Sequence, residues 1–578
     1  MNSFARIPDA PHSDDPALLA QLAADLTAMD YTVDGVAAFL GEEAADALGR
    51  EQLVPAILAC REEAAAAQPR PVAAAVALWL IGTDLSAADL ARAFPRTGVA
   101  GLLRLGLVEP ATTGPSDSRP VPDAAGGDGA LRAAVDLRPY GIGGEGDTPA
   151  ASLWVASDLG AHQRPGVLRR DHVLGIGQAS LSLAQLTVRR PVDRALDLGT
   201  GCGIQAFHLL GHARHVTATD ISDRALGFTR FNLLLNAPAL GLDPLRLEDR
   251  VSLRLGSLLE PVAGERFDLV VSNPPFVITP RTGADEPDRF TYRDGGLPGD
   301  DIVSSLIRGL GDVLAPGGTA QMLGNWEIQA PQGVPGTTPD TDATPATDAA
   351  TATGWERRIR SWVPEELDAW VIQREQLSPA EYAEMWLRDA AENRDRQLYT
   401  AAYEAYLRDF ASRNTEAVGF GSIWLRRRTG SEPLLRFEEI PHPLEQPIGP
   451  HLGAAVERFD WAAPRASLLR ERLVVADDVT EERHQRPGAE HPGVILLRQG
   501  AGFRRTNLMS TELAGFVSAS DGDLTAGQII GALAALLGRD GDAEFASGLE
   551  AEVRNLLLDG FLVPLEARQR PEQPSAGN

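Results

Sequence analysis

From Val192 to Asn325 the chain repeats one pattern: a short apolar run, a turn, and then a segment with helical spacing. V-D-R-A-L-D-L leads through G-T-G-C-G into I-Q-A-F-H-L-L. H-V-T-A-T-D ends at Asp220 and precedes S-D-R-A-L-G-F-T-R-F-N-L-L-L-N, with Ser222 placed to cap a helix. Three further runs follow, at Arg250 to Ser257, Phe267 to Val271 and Thr319 to Asn325, the last preceded by a helix-patterned stretch from about Asp301 to Leu314. Continuous apolar runs of this length read as strands covered on both faces. Strands of that kind alternating with helices predict an α/β protein built on a parallel, doubly wound sheet. In such a sheet ligands bind beyond the carboxyl ends of the strands, so the turns after these runs are where chemistry is expected.

At 578 residues the chain is too long for one core. The divisions expected are a helical N-terminal domain over 1–114, a β-hairpin and helix over 128–190, the sheet domain over 191–445 and a C-terminal α/β domain over 450–578. Residues 111–129 read as a linker, and 329–354, rich in Thr, Pro, Ala and Asp, as a disordered insertion. Asp368 to Glu375 and Val418 to Arg427 read as two more strands, separated by a helical insertion from about Pro379 to Ser412. The two ends of the chain echo each other. D-L-S-A-A-D-L-A-R-A-F before L-L-R-L-G-L-V-E-P matches D-L-T-A-G-Q-I-I-G-A-L before L-L-L-D-G-F-L-V-P. Both fit ordinary amphipathic helices, and both also fit the local order of a winged helix. The C-terminal copy carries Asp542, Glu544, Glu550, Glu552 and Asp559 against Arg554, which favours a protein contact over DNA.

A formal charge of −27 makes the surface repellent to phosphate backbones, so a nucleic-acid partner would need a locally basic groove. No apolar run reaches the roughly 18 residues of a membrane span, and M-N-S-F-A-R-I-P-D-A lacks the apolar core of a signal peptide, so a cytoplasmic protein without a membrane partner is expected. Cys60 and Cys202 are too few for a disulfide framework or a multi-cysteine zinc site. His208, His212 and His215 cluster in sequence, but no cysteine or carboxylate spacing completes a metal site, and none is expected.

Gly199, Gly201 and Gly203 occupy the turn after the first strand, where missing side chains let a ligand approach the backbone. Asp197 at the strand end can accept a hydrogen bond from a cationic amine. Asp220, ending the next strand, can bind both hydroxyls of a ribose. Gly201-Cys202-Gly203-Ile204-Gln205-Ala206 also satisfies G-x-G-x-x-A, so an NAD(P)-binding oxidoreductase is the rival reading. The fourth strand runs into S-N-P-P-F. There the side-chain oxygen of Asn273 and the carbonyl of Pro274 can accept the two hydrogens of a planar NH₂, Pro274 and Pro275 fix those acceptors, and Phe276 offers a ring to stack on. A hydride-transfer site has no use for that arrangement.

D-L-G-T-G-C-G, Asp220 and N-P-P-F together resemble the class I S-adenosylmethionine-dependent N-methyltransferases of the Asn-Pro-Pro-Phe/Tyr group. That group includes release-factor glutamine N5-methyltransferases, small-domain ribosomal RNA guanine N2-methyltransferases and adenine N6-methyltransferases. The resemblance covers about Val192 to Asn325 and extends weakly to Arg427. It implies a Rossmann-like methyltransferase sheet whose last strand is antiparallel, and S-adenosylmethionine as cofactor. Within it the glycine loop would hold the methionine part, Asp197 the amino group and Asp220 the ribose, with Asn273 beside the cofactor and Asn273, Pro274, Pro275 and Phe276 on the target amine. Ser257 stands where the family commonly has an acidic residue for the adenine amine. The acceptor is expected to be a macromolecule. A protein glutamine, on a release factor or another translation protein, is favoured by the net charge and by Y-R-D-G-G-L-P-G-D-D (Tyr292 to Asp301). An RNA base is the alternative, favoured by Phe at 276 and by T-R-F-N-L-L-L-N (Thr229 to Asn236).

Overall fold

A computed structural model of the chain describes residues 3–111, 129–143, 151–160, 163, 169, 171–281, 296–330, 354–389 and 396–568. Most of the expected linker and nearly all of the expected disordered insertion lie outside these residues. The chain divides into two compact units. The first comprises 1–183, 190–429 and 435–439, and the second 184–189, 430–434 and 440–578.

The first unit is organised by one eight-stranded sheet. Its strands are β1 (Val192–Leu198), β2 (Ala213–Asp220), β3 (Val251–Leu255), β4 (Phe267–Ser272), β5 (Leu314–Gln329), β6 (Leu367–Leu377), β7 (Thr415–Arg427) and β8 (Leu435–Glu439). The order across the sheet is β3-β2-β1-β4-β5-β7-β6-β8. Strands β1 to β5 are parallel, while β7 runs antiparallel to both β5 and β6. This is the expected doubly wound sheet with its antiparallel strand. The eighth strand carries no sequence signal because R-F-E-E is polar, as suits an edge. It pairs parallel to β6, and Glu438 accepts from the Trp370 indole at 2.7 Å.

Register aligns the strand ends. Leu198 stands opposite both Thr219 and Ser272, and Asp220 opposite Leu255, so the turns after β1 to β4 converge on one edge. Helix α1 (Ile204–Leu210) follows the turn after β1. Helix α3 (Asp301–Val313) buries Ile302, Val303, Leu306, Ile307, Leu310 and Val313 in the cluster that holds Phe267, Val270 and Trp326. That spacing is one face of a helix.

Helix α2 (Asp223–Leu235), between β2 and β3, is different: every residue from Arg224 to Leu235 is buried. A helix enclosed on all sides must satisfy its polar side chains internally. Asn232 and Asn236 do so against a strand. One helical turn of four residues rises about 6 Å, close to the roughly 6.8 Å between alternate residues of a strand. Asn232 therefore meets Ala156 and Asn236 meets Trp154. Each amide accepts from the backbone N–H (2.8 and 2.9 Å) and donates to the carbonyl (2.9 and 2.7 Å) of the same residue. In this way α2 completes the outer edge of the antiparallel hairpin formed by Asp136–Ile142 and Ala151–Ser157. At the N-terminal half of α2, Arg224 forks onto the Asp158 carboxylate (2.7 and 3.0 Å) and donates to the carbonyl of Asp9. Arg230 donates to the carbonyl and hydroxyl of Ser13. A Cβ on Gly227 would lie 3.3 Å from Ile7 and Ala10, so this glycine is where the N-terminal segment crosses the helix.

The N-terminal region contains a small antiparallel sheet of Leu85–Ser86, Val108–Pro110 and Ala130–Ala133, with the last strand in the middle. Helices Ala87–Ala93 and Gly98–Arg104 lie between the first two strands in sequence. This is a winged-helix order. Residues Leu131 to Ala133 belong to it, and the hairpin begins only at Asp136. In the second unit, helices Thr511–Ser518, Ala526–Leu536 and Ala543–Asp559 precede Leu562–Pro564, which pairs with the upstream strand Leu473–Val475. Val474 also bridges to Asp521, so the middle strand of this copy comes from before its helices rather than after them. No helix among the described residues is long and apolar enough to cross a membrane.

Replacing Asn232 with Leu keeps the branched shape and the number of side-chain heavy atoms but strands the Ala156 N–H, the Ala156 carbonyl and the Cys202 carbonyl, to which Asn232 also donates. At about 1–3 kcal/mol for each buried unsatisfied group, N232L is expected to lose about 3 kcal/mol or more. Urea unfolding of the two proteins measures it.

Candidate functional site

The site is assembled at the carboxyl ends of β1, β2 and β4. Asp197, buried one residue before the end of β1, accepts through Oδ2 from the Thr200 hydroxyl at 2.6 Å and from the Ala206 N–H at 3.0 Å. These bonds pull the turn back onto the strand and leave Oδ1 with no bond among the described residues. The backbone N–H groups of Gly199 and Thr200 both donate to the Thr219 carbonyl at 2.9 Å, which fastens the turn to β2. From below, the Thr229 hydroxyl donates to the Gly201 carbonyl (2.8 Å) and the Asn232 amide to that of Cys202 (2.9 Å).

Gly199, Gly201 and Gly203 have φ of 75°, 57° and 94°, a region that L-residues with side chains avoid. Their surroundings differ. A Cβ on Gly199 or Gly201 would meet nothing within 4 Å, so the loop faces open space there. A Cβ on Gly203 would come 3.2 Å from the Thr229 methyl. Asp220 accepts from the Gly201 N–H through one oxygen (3.0 Å) and from the Ser222 N–H through the other (2.9 Å), and its carbonyl accepts from Gly256. Each carboxylate oxygen has a second lone pair, so capacity remains for a ligand hydroxyl.

Both carboxyl groups hold protons more tightly than usual. Burial pushes Asp197 up to about 7, against the bonds from Thr200 and Ala206, and the charge of Asp220 adds to it. Burial also raises Asp220, opposed by the N–H groups of Ser222 and Gly201. Neither carboxyl group is shifted by a neighbouring cation among the described residues, and a cation or a set of hydroxyl donors is what the pair would accept.

At the end of β4 the Ser272 hydroxyl donates to the Leu198 carbonyl (2.8 Å), locking β4 to β1 just where the next residue leaves the sheet. That residue is Asn273. Its Oδ1 is buried and has no donor among the described residues. Pro274 is buried, while Pro275 and Phe276 are half-buried, with Phe276 packed against the central core cluster. Part of that ring is therefore committed to the fold. Ser257 is exposed beyond β3, its side chain makes no bond among the described residues, and its carbonyl accepts from Glu260. Of the Gly-Gly segment, Tyr292 to Gly295 lie outside the described residues. At its end Asp300 forks onto Arg358 (2.6 and 2.8 Å) and accepts from the Glu327 N–H.

Thr200, Thr219, Thr229 and Asn232 carry the glycine loop, and the sequence reading missed all four. T-R-F-N-L-L-L-N, read there as a mark of substrate class, consists of the residues that clamp α2. Asparagines four apart, set among Phe and Leu in F-N-L-L-L-N, were the available signal. Cys202 is buried and its thiol is pushed up to about 12 by that burial. The three histidines are dispersed: His208 meets the Tyr140 hydroxyl (2.6 Å), His212 the Arg190 carbonyl (3.0 Å) and His215 the Ser252 hydroxyl (2.9 Å). Among the described residues no three His, Cys, Asp or Glu side chains gather as a metal site. The antiparallel β7 between β5 and β6 also departs from the 3-2-1-4-5-6 order of a dinucleotide-binding sheet.

The family model described as "Methyltransferase small domain" matches residues 159–290, and one described as "Domain of unknown function (DUF7059)" matches 28–118. A ribosomal protein uL3 glutamine methyltransferase of Bradyrhizobium diazoefficiens is 32% identical over 160 residues, which are 26% of this chain and 46% of that protein. A release factor glutamine methyltransferase of Deinococcus radiodurans is 38% identical over 147 residues, 24% of this chain and 47% of that protein. The chain thus spans about half the length of these relatives. Among solved structures, a S-adenosyl-L-methionine (SAM)-dependent methyltransferase from Thiobacillus denitrificans in complex with S-adenosyl-L-homocysteine is 18% identical, covering 46% of this chain and 96% of that one, with a TM-score of 0.22.

The glycine geometry separates fold from ligand contact. Gly201→Ala, in the left-handed basin, is expected to lose about 1–2 kcal/mol and to place a methyl in the open space above the loop. Gly203→Ala, whose φ of 94° lies past the roughly +50 to +70° that residues with a Cβ adopt in this region and which has Thr229 close by, is expected to lose more. Chemical denaturation should rank G203A below G201A in stability.

Proposed function

We propose that this chain is an S-adenosylmethionine-dependent N-methyltransferase whose acceptor is the side-chain amide of a protein glutamine. The observation that carries the reading is the buried Oδ1 of Asn273, which has no donor among the described residues, at the strand end beside the glycine loop. A buried acceptor without a partner costs about 1–3 kcal/mol, and an N–H from a bound molecule relieves it. Every residue invoked, from Asp197 to Phe276, falls within the methyltransferase small domain match.

The residues fit the cofactor that the resemblance implies. Open space stands above Gly199 and Gly201, and the two proton-holding acids call for cationic and hydroxyl groups. Asp197 would take the amino group and Asp220 the ribose hydroxyls. The exposed Ser257 would serve the adenine amine through its hydroxyl or adjoining backbone. S-adenosylmethionine, when bound, supplies an electrophilic methyl group. The chain's part is orientation. Asn273 Oδ1 and the Pro274 carbonyl accept the two hydrogens of the planar NH₂, and so turn its lone pair out of conjugation. The two prolines hold those acceptors still, and the free part of the Phe276 ring stacks on the amide.

The relatives' names and the net charge of −27 favour a protein acceptor, a release factor or another translation protein, over RNA, and a cytoplasmic setting follows. The test is uptake of label from methyl-labelled S-adenosylmethionine by separated release-factor, ribosomal-protein, ribosomal RNA and tRNA fractions. Label confined to an RNA fraction would replace the glutamine reading with an RNA base N-methyltransferase.

Asn273→Ala removes an acceptor for the target amine but no contact expected with the ribose or methionine. Cofactor affinity should survive, while kcat and kcat/KM fall together by about 10² to 10³. Single-turnover kinetics beside a binding isotherm check both.

Asp197 predicts a pH dependence. Empty, it holds its proton up to about pH 7. An ammonium beside it lowers that value, so the complex binds fewer protons than the free protein. S-adenosylhomocysteine should therefore bind more tightly as pH rises towards 7, by at most about tenfold per unit, and this dependence should flatten above 7. Calorimetry from pH 5.5 to 8 measures the slope, and D197N should abolish it.

A further inference from the structure

The connection from β6 to β7 lies at the same edge of the sheet as Asn273, because β6 ends and β7 begins beside the carboxyl end of β5. It is filled by two helices, α4 (Pro379–Asp389) and α5 (Arg396–Ser412). They hold their own cluster, in which Tyr382, Ala383, Leu387, Tyr406 and Phe410 pack with Val418 and with Ile278, two residues beyond Phe276. The segment that leaves Asn-Pro-Pro-Phe is thus embedded by its side chain in the core of a helical pair more than a hundred residues on.

Its backbone is embedded there too. Ile278 is buried outside any ladder, so its N–H needs a partner. That partner is the Tyr382 hydroxyl, at 2.8 Å. The same oxygen accepts from the Asn325 amide on β5 at 3.2 Å. Tyr382 is fully buried, its ring 5.6 Å from those of Phe410 and Phe420, so the hydroxyl cannot swing away. If that amide is turned over, the roles at this contact exchange: the Tyr382 hydroxyl donates to Asn325 Oδ1, which otherwise has no partner among the described residues, and still accepts from Ile278. A second tie lies three residues on, where the Arg281 N–H donates to Asp409 of α5 at 3.4 Å.

We infer that Tyr382 is a positioning residue for the methyl acceptor: its hydroxyl, pinned between β5 and the inserted helices, fixes the chain after Asn273-Pro274-Pro275-Phe276 and thereby the placement of the target amine. The inference rests on the functional reading above. The prolines make Asn273 to Pro275 stiff, but a stiff segment still pivots unless its far end is held, and Ile278 is the first residue past the motif with both backbone and side chain held.

Tyr382→Phe removes the oxygen and keeps the ring. With methyl-labelled S-adenosylmethionine and a purified peptide-release factor as probe, at a temperature where both proteins are fully folded, kcat is expected to fall about 10- to 100-fold. The dissociation constant of S-adenosylhomocysteine should be unchanged. Deuterium exchange of the peptide covering 273–281 should quicken in the variant, while peptides of β1 and β2 keep the wild-type rate. Asn325→Leu, which removes the second tie of the hydroxyl, should move both readouts in the same direction by less. A Tyr382→Phe protein that labels the release factor at the wild-type rate, or whose 273–281 exchange is unaltered, overturns the inference. If the wild type labels no protein fraction, the glutamine reading falls instead, and the exchange comparison alone decides whether Tyr382 holds the loop.

Discussion

The geometry of the site depends on the complete burial of α2. A helix enclosed on every side gains apolar contact all round, but it must then find partners for each polar group it carries. Here those partners are the functional loop and its surroundings. Thr229 and Asn232 satisfy themselves on the carbonyls of Gly201 and Cys202, so the glycine turn is held from beneath by the same helix that anchors the hairpin. Remove the hairpin and Asn232 has nothing to pair with on one side. Loosen Asn232 and the turn loses one of its supports. Stability and ligand geometry are coupled through one amide side chain.

The glycine turn has left-handed backbone at three positions and a buried acid whose proton affinity is raised, both unfavourable in isolation. They persist because the surrounding bonds over-determine them. Asp197 spends one oxygen on holding the turn and leaves the other without a bond among the described residues, while Asp220 uses both oxygens on backbone N–H groups and keeps a second lone pair on each. The carboxylates thus shape the loop and remain available to a ligand, which explains why a purely structural reading and a functional reading of these residues lead to the same positions.

The sheet and the candidate site were legible in the sequence because both follow local rules. Apolar runs mark covered strands, glycines mark the turn, and prolines mark the end of β4. What was not legible was lateral. The polar strand Leu435–Glu439 lies at an edge, where no apolar run is required. The asparagines of α2 have meaning only once the strand holding Trp154 and Ala156 is laid beside them. Tyr382 is an ordinary helix residue until the fold brings Ile278 to it. Ser257, conspicuous for lacking the expected carboxylate, is exposed beyond β3 and receives no side-chain bond among the described residues.

Arg224 reaches Asp9 and Arg230 reaches Ser13 across 215 and 217 residues of sequence. Contacts so distant along the chain cannot form until the intervening loop has closed, and they are slow to nucleate. During synthesis the segment around Ile7 to Ser13 leaves the ribosome long before α2 exists to receive it. The segment is therefore already made when the surface of α2 that it covers appears. Until that docking, Arg224 and Arg230 lack the backbone carbonyls of Asp9 and Ser13, so closing this long loop is also what seals the helix beneath the glycine turn.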